Sequence, residues 1–453
     1  MPDTIAAIAT APAAAAVGIV RLSGAETRRV LAALFTPVDG RSAAELPPRR
    51  MTYGTVRDAE GRTLDHALAV VFSAGHSYTG EESAELHCHG SPVVLQEVLR
   101  AAFAAGARQA RAGEFTERAF LNGKMDLTEA EAVIDLIDAE TADAAANAAG
   151  QVAGAMRKRI DPVYDSWVDI CAHFHAVLDY PDEDIAPFEL SQLESALQAS
   201  SRTLSALLSS CHRGRMVRSG VRVTILGSPN AGKSSLLNAL SGFDRVIVTD
   251  IPGTTRDTVE QTVTLGRHLV RLVDTAGIRD TEDVIEKIGV DRSVEAAKDC
   301  DAALFVVDDS RPLTDEDRRA MDAALEAPEA IAVLNKQDLG AVIEPSDLPF
   351  SYIVPVSCKD GTGFDLLEQA FDMLFPDDAP CDGSLLTNAR QADAIVRAKK
   401  SVDAALRSLR AGFTPDAVLV DLEAAMRALG EVTGRTMRED ITNRIFERFC
   451  VGK

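Results

Sequence analysis

The stretch VRVTILGSPNAGKSSLLNAL at residues 221–240 constrains the fold of this chain more than any other. Its first part is a continuous β-branched and apolar run, the pattern of a strand buried on both faces in a parallel sheet. A helical pattern follows, and between them lies Gly227-Ser228-Pro229-Asn230-Ala231-Gly232-Lys233-Ser234-Ser235. Glycine allows the backbone to wrap close to a phosphate, while loop N–H groups and the helix N-terminus face the anion. In such a loop Lys233 reaches the β- and γ-phosphates, and the Ser234 hydroxyl binds Mg²⁺. The fold implied is a doubly wound α/β domain with a mainly parallel core, continued through LVRLVDTAG, AALFVVD, AIAVLNK and YIVPVS.

Three further segments fall at strand ends, where such a sheet places its ligand. Asp274-Thr275-Ala276-Gly277 follows LVRLV, 41 residues after Lys233. Its carboxylate suits a water-mediated Mg²⁺ contact, and Gly277 can offer a backbone N–H to the γ-phosphate. Asn335-Lys336-Gln337-Asp338 ends AIAVLN. A carboxylate there accepts two N–H groups from guanine that adenine cannot present, which favours GTP over ATP. Ser357-Cys358-Lys359 is placed for the last base-contacting loop, with Cys358 read as a small buried residue. Between the P-loop and Asp274 lies Thr249-Asp250-Ile251-Pro252-Gly253-Thr254-Thr255-Arg256-Asp257. Thr255 is expected to complete the Mg²⁺ shell in a loop ordered by the γ-phosphate. The position that carries a water-orienting Gln in Ras-type GTPases is Ile278 here, so hydrolysis needs a partner or another residue.

At 453 residues the chain is too long for one core. Residues 1–120 mix the β-like runs GIVRL, ALAVVF and AELHCH with one helical stretch, VVLQEVLRAAFAAGA, an α+β pattern. Residues 125–180 are almost continuously helix-forming up to Pro181, and a second helical segment covers about 189–213. The α/β domain ends at Pro376, and residues 385–448 are helical again. The organisation expected is therefore an N-terminal α+β domain (1–120), a helical domain in two parts (121–217 and 379–453) and an inserted α/β domain (218–378). Insertion at an exposed loop with adjacent ends is physically inexpensive. Net charge is −22, and residues 218–378 alone carry 16 basic and 30 acidic side chains. Such a surface excludes non-specific nucleic-acid binding, so any RNA contact is local or made through a partner. No apolar run approaches the roughly 20 residues of a membrane span, and the Ala-rich start lacks a basic leader. The seven scattered cysteines fit reduced thiols and a cytoplasmic location.

The combination GxPNxGKSS, TDIPGTTRD, DTAG and NKxD resembles the translation-factor-related bacterial GTPases. Outside it, DTIAAIAT and VGIVRLSG near the start resemble the MnmE (TrmE) family of tRNA-modification GTPases. So do SYTGEESAELHCHG at 77–90, GEFTERAFLNGKMDLTEAEAVIDLI at 113–137 and the terminal Phe449-Cys450-Val451-Gly452-Lys453. The resemblance covers essentially the whole chain. It implies an N-terminal domain that binds a folate one-carbon donor, 5-formyl- or methylene-tetrahydrofolate, and forms a homodimer. It also implies a heterotetramer with the FAD-dependent protein MnmG, which installs an aminomethyl or carboxymethylaminomethyl group at C5 of the wobble uridine of certain tRNAs. Carried onto this chain, the folate contacts are Arg21, Glu85, Lys124 and Lys453. A potassium ion replaces an arginine finger, held by Asn230 and the backbone carbonyls of Thr249, Ile251 and Thr254. Glu286 takes over the water-positioning role, and Cys450 either attacks C6 of uracil or orders the tail near folate. Three positions depart from the family pattern: the loop Ala11-Pro12-Ala13-Ala14-Ala15-Ala16, Ser91 after His89-Gly90, and Ser228 in the P-loop, where Arg is common. A regulatory GTPase of ribosome assembly shares the nucleotide motifs and is the alternative; the first 120 residues and the terminal FCVGK discriminate between the two.

Overall fold

The computed structural model describes residues 3–179, 189–243, 261–273, 295, 297–376, 380–436 and 452. By its internal contacts the chain divides into two compact units. One comprises residues 1–134, 151–205 and 393–453, the other 135–150 and 206–392.

The first unit opens with β1 (Ile5–Ile8), β2 (Ala15–Ser23), α1 (Thr27–Leu34), β3 (Phe35–Pro37), β4 (Thr52–Arg57), β5 (Thr63–Phe72) and β6 (Ser83–Gly90). There follow α2 (Pro92–Ala104), β7 (Arg108–Gln109) and α3 (Glu114–Leu121). The strands form one sheet in the order β3-β4-β5-β6-β2-β1-β7, antiparallel except for the β1–β7 edge. Alternation along the strands sends Ala6, Val20, Leu22 and Leu86 to one face, where Val30, Leu31, Leu95 and Val98 of α1 and α2 cover them. Sequence periodicity anticipated only α2 among these helices. Helix α1 has only eight residues, two of them arginines, and α3 buries Glu114, Glu117 and Arg118 beside Phe115 and Ala119, so the apolar pattern is brief in one and mixed with charge in the other.

The helical region divides into α4 (Leu127–Ile137), α5 (Ala142–Val152), α6 (Ala155–Asp179), α7 (Leu190–Ser209) and α8 (Cys211–Ser219). Helix α4 starts at a reciprocal cap, in which Asp126 accepts from the Glu129 N–H at 2.9 Å and Glu129 from the Asp126 N–H at 2.8 Å. Helicity continues past the expected end near 213 to Ser219, with a break at Ser210. There the Ser210 hydroxyl donates to the Leu207 carbonyl at 2.7 Å and accepts the Leu386 N–H at 3.1 Å.

The second α/β element set is β8 (Val221–Leu226), α9 (Lys233–Phe243), β9 (Gln261–Leu265), β10 (His268–Val273), β11 (Ala302–Asp308), α10 (Asp315–Ala324), β12 (Ala330–Asn335), β13 (Tyr352–Pro355) and α11 (Phe364–Leu374). Its sheet runs β13-β12-β11-β8-β10-β9, parallel throughout except for the antiparallel edge strand β9. Successive residues of β11 serve opposite layers. Leu304 and Val306 join α9 and α11 through Leu236, Leu240, Leu367 and Phe371, while Phe305 and Val307 join Met321 and Ala324 of α10. This is the doubly wound arrangement read from the sequence.

Helices α12 (Ala389–Arg410) and α13 (Pro415–Thr433) complete the chain. Helical segments from both sides of the α/β domain pack on one another. Trp167 of α6 is fully buried and donates to Ser200 of α7 at 2.9 Å. Ser201 of α7 donates to Asp403 of α12 at 2.7 Å. Arg435, just beyond α13, pairs with Asp161 and Asp165 at 2.9 and 3.0 Å and lies 4.6 Å over the Tyr164 ring.

Candidate functional site

Strand β8 ends at Leu226, and the loop 227–232 delivers the chain to the N-terminus of α9. Asn230 has φ 62° and Gly232 φ 102°, so the loop turns back on itself twice. The Lys233 ammonium donates to the carbonyls of Gly227 and Ser228, each at 2.8 Å. Burial pushes its pKa below the ordinary lysine range, against the pull of Asp317. Ser234 and Ser235 stand exposed in the first turn of α9. A desolvated ammonium, a helix N-terminus and two hydroxyls form a donor set that suits a polyphosphate.

Asn335 joins this loop to the base-facing segments. Its side-chain NH₂ donates to the Ala231 carbonyl at 3.0 Å, and its side-chain oxygen accepts the Cys358 N–H at 3.3 Å. Lys336 has φ 68°, and its ammonium lies 2.6 Å from Asp308. Asp338 accepts from the Ser357 hydroxyl at 3.1 Å and from Lys359 at 3.3 Å. Burial works against ionisation of Asp338, but these two donors outweigh it and hold its carboxyl below the usual range. The side chain is thus a fixed anion able to accept the paired N–H groups that guanine presents. Cys358 is half-buried, and burial pushes its thiol up to about 11, so it acts as a packing residue. The structure therefore assembles Asn230 to Ser235, Asn335, Lys336, Asp338 and Ser357 to Lys359 at one end of the sheet.

Thr249, Asp250, Ile251, Pro252, Gly253, Thr254 and Thr255 lie outside the described residues. So do Asp274, Thr275, Ala276, Gly277, Glu286, Cys450 and Lys453. Two residues without a motif of their own also serve this site. Asp308 pins Lys336, and the buried Asp309 accepts from the side chain of Gln337 and from the Ile343 N–H at 2.9 Å. Asp308 ends β11 and Asp309 follows it, and α10 and β12 separate both from residues 335–338, so spacing alone did not reveal them.

A second polar cluster lies in the N-terminal sheet. Arg21 of β2 faces Glu85 of β6 in register and pairs with it at 2.9 Å. His87 holds the other Glu85 oxygen at 3.1 Å. The Arg21 guanidinium lies 5.7 Å from the Tyr78 and Phe115 ring centres and donates to the Gly452 carbonyl at 3.4 Å. Lys124 donates to the Gly75 carbonyl at 3.0 Å, on the same loop that carries Tyr78. Arg21 and Glu85 are thus brought together directly, and Lys124 through the 75–80 loop. Tyr78, Phe115 and His87 are additions that sequence reasoning had not singled out.

Among the described residues no helix is long and apolar enough to cross a membrane. A family model described as the GTP-binding protein TrmE N-terminus matches residues 4–124, and one described as the MnmE helical domain matches residues 127–450. Proteins named "tRNA modification GTPase MnmE" are similar along their whole length. That of Roseiflexus sp. is 43% identical over 464 aligned residues, covering 100% of this chain and 99% of the relative. Roseiflexus castenholzii has one 42% identical, and Thermoanaerobacter pseudethanolicus one 39% identical, each with the same coverage.

Proposed function

Because the chain belongs to the MnmE family of GTP-binding tRNA modification GTPases, we propose that it couples GTP hydrolysis to folate-dependent modification of C5 of the wobble uridine of certain tRNAs. The product carries an aminomethyl or carboxymethylaminomethyl group, and the reaction is shared with the FAD-dependent partner MnmG in a heterotetramer. The observation that carries this reading is the coexistence of two separate built sites: a guanine-type P-loop site, and the Arg21–Glu85 pair between two aromatic rings. A ribosome-assembly switch requires only the first, and the full-length similarity to tRNA modification GTPases favours the wider reading.

In the GTP site, Lys233 turns from its loop carbonyls to the β- and γ-phosphates, and Asp338 accepts the guanine N–H groups. Ser234 and Thr255 would hold Mg²⁺, which when bound would neutralise charge on the phosphate oxygens. Asn230 and the carbonyls of Thr249, Ile251 and Thr254 would hold K⁺, which would supply a positive charge beside the phosphates. Asp274 would contact Mg²⁺ through water, Gly277 would offer its N–H to the γ-phosphate, and Glu286 would orient water in place of the missing Gln. In the N-terminal domain, Arg21, Lys124 and Lys453 receive the anionic tail of 5-formyl- or methylene-tetrahydrofolate, and Glu85 accepts the pterin N–H groups. Cys450 acts either as the uracil nucleophile or as an anchor of the tail. Burial of one sheet face against a second copy would cover the exposed Val17, Tyr53 and Leu68 on β2, β4 and β5, which supports the homodimer.

Titration calorimetry with 5-formyl-tetrahydrofolate tests the reading. The wild-type chain is expected to bind it and Arg21→Ala to lose at least about tenfold in affinity, the value of one charge-assisted contact. Absence of binding by the wild-type chain refutes the folate assignment.

A further inference from the structure

A buried polar cluster beneath the P-loop belongs to none of the motifs. Asp317, in the first turn of α10, is fully buried. It receives the Arg311 guanidinium at 2.7 and 3.3 Å, the Thr314 hydroxyl at 2.7 Å and the Thr314 N–H at 2.9 Å. Arg311, while paired with this carboxylate, also donates to the Ser228 oxygen at 3.3 Å, and Ser228 lies near enough to the carboxylate to help hold it ionised. Ser228 itself is only 4% exposed. The second residue of the P-loop is thereby tied through its side chain to a helix 83 to 89 residues further along the chain.

The two halves of the P-loop are held differently. The half from Ala231 onward is fixed by Asn335, by the α9 hydrogen bond from the Leu236 N–H to the Gly232 carbonyl at 2.8 Å, and by its burial. The crown, Ser228 to Asn230, lies on no sheet ladder. Its restraints are a weak turn from the Ala231 N–H to the Ser228 carbonyl at 3.3 Å, the Lys233 bonds, and the Ser228 side chain. Once Lys233 is drawn to the phosphates, its two carbonyl bonds are given up. The Ser228 hydroxyl then carries the crown, and the crown presents Asn230 in a left-handed conformation that costs about 1 kcal/mol or more to hold.

We infer that Arg311 and Asp317 are positioning residues for GTP hydrolysis, which fix the P-loop crown through the Ser228 hydroxyl in the nucleotide-bound state. This role rests on the reading of Asn230 as a K⁺ ligand, which comparison of K⁺ with Na⁺ in the wild-type chain tests separately, and not on the folate reading. A defect in turnover follows, because Asn230 sits on the crown, with a smaller change in affinity, because Ala231 and the N-terminus of α9 are fixed independently of Ser228.

The test uses the full-length chain. Ser228→Ala removes the tether and leaves Asp317 paired with Arg311 and Thr314, so the fold is retained. Its kcat is expected to fall about 5- to 10-fold, the rate equivalent of one hydrogen bond, with mant-GDP affinity within about twofold of wild type. Ser228→Thr, which keeps the hydroxyl, is expected to recover most of the loss. Arg311→Lys keeps Asp317 paired and removes the second nitrogen that reaches Ser228, and a similar fall in kcat is expected. An unchanged kcat in Ser228→Ala overturns the inference. So does an affinity loss as large as the kcat loss, or a Ser228→Thr variant as slow as Ser228→Ala.

Discussion

Gly232 joins the phosphate-binding and base-binding halves of the nucleotide site, and its replacement has a calculable cost. It has φ +102°, and a β-carbon there would overlap the Asn335 side-chain nitrogen. Gly232→Ala therefore carries two penalties. The left-handed backbone costs about 1–2 kcal/mol for a residue with a β-carbon. Displacing the Asn335 amide breaks its bond to the Ala231 carbonyl and weakens the one from Cys358, leaving buried groups unpaired at about 1–3 kcal/mol. Gly340 supplies the control: it has φ +95° in the same unit, and a β-carbon added there would meet nothing within 4 Å. Gly340→Ala incurs only the backbone cost. Equilibrium titration with mant-GDP should show Gly232→Ala weaker than Gly340→Ala by about 5- to 100-fold, the equivalent of about 1–3 kcal/mol. Urea unfolding followed by release of bound mant-GDP should place the two variants in the same order. Equal affinities and equal midpoints for the two variants would refute the coupling of the P-loop to Asn335.

Asp338→Asn exchanges an acceptor for a mixed donor–acceptor, so binding should shift from GTP toward XTP, whose base presents a carbonyl where guanine has its amino group; competition against mant-GDP checks this, and retained GTP preference contradicts the role of Asp338. Asp317 contributes a pH-dependent stability. Against the cost of burial, Arg311, Ser228 and Thr314 hold its carboxyl at about 2, below the ordinary 3.8. A depressed folded value stabilises the protein above the unfolded pKa, and the contribution is lost as pH falls from about 4 to 2. Asp317→Asn should therefore lower stability at pH 7 by about 2 kcal/mol, with the difference from wild type shrinking toward pH 2, read by urea unfolding at each pH. K⁺ should accelerate hydrolysis well beyond Na⁺, and Glu286→Ala should stop turnover while sparing GTP binding; equal rates in the two salts, or normal turnover in the variant, contradict those assignments.

The P-loop was legible because phosphate contact is made by backbone, and backbone geometry imposes glycine at fixed spacing. The same holds for Asn335 and Asp338, whose roles depend on one strand end. Residues that support them were not legible. Asp308, Asp309, Arg311 and Asp317 reach the site across a strand–helix–strand interval, and an acidic run in an acidic domain reads as a solvated surface. In the N-terminal domain three strands were apparent from their apolar runs, whereas β3 and β7 have three and two residues and carry almost no pattern. Helix α3 was hidden for a different reason. Beside Phe115 and Ala119 it buries Glu114, Glu117 and Arg118, whose partners Arg108, Arg111 and Glu81 come from other segments. Arg21 and Glu85 came from family resemblance, and the register of β2 with β6 puts them opposite each other.

The central claim is that the GTPase site serves a tRNA modification. Nucleoside mass spectrometry of tRNA from cells lacking this chain tests it most directly, with complementation by the wild-type chain and by Lys233→Ala. The account predicts that the C5-modified wobble uridine is lost, returns with the wild-type chain and does not return with Lys233→Ala. Unchanged modification in the deletion strain, or full restoration by Lys233→Ala, would contradict it.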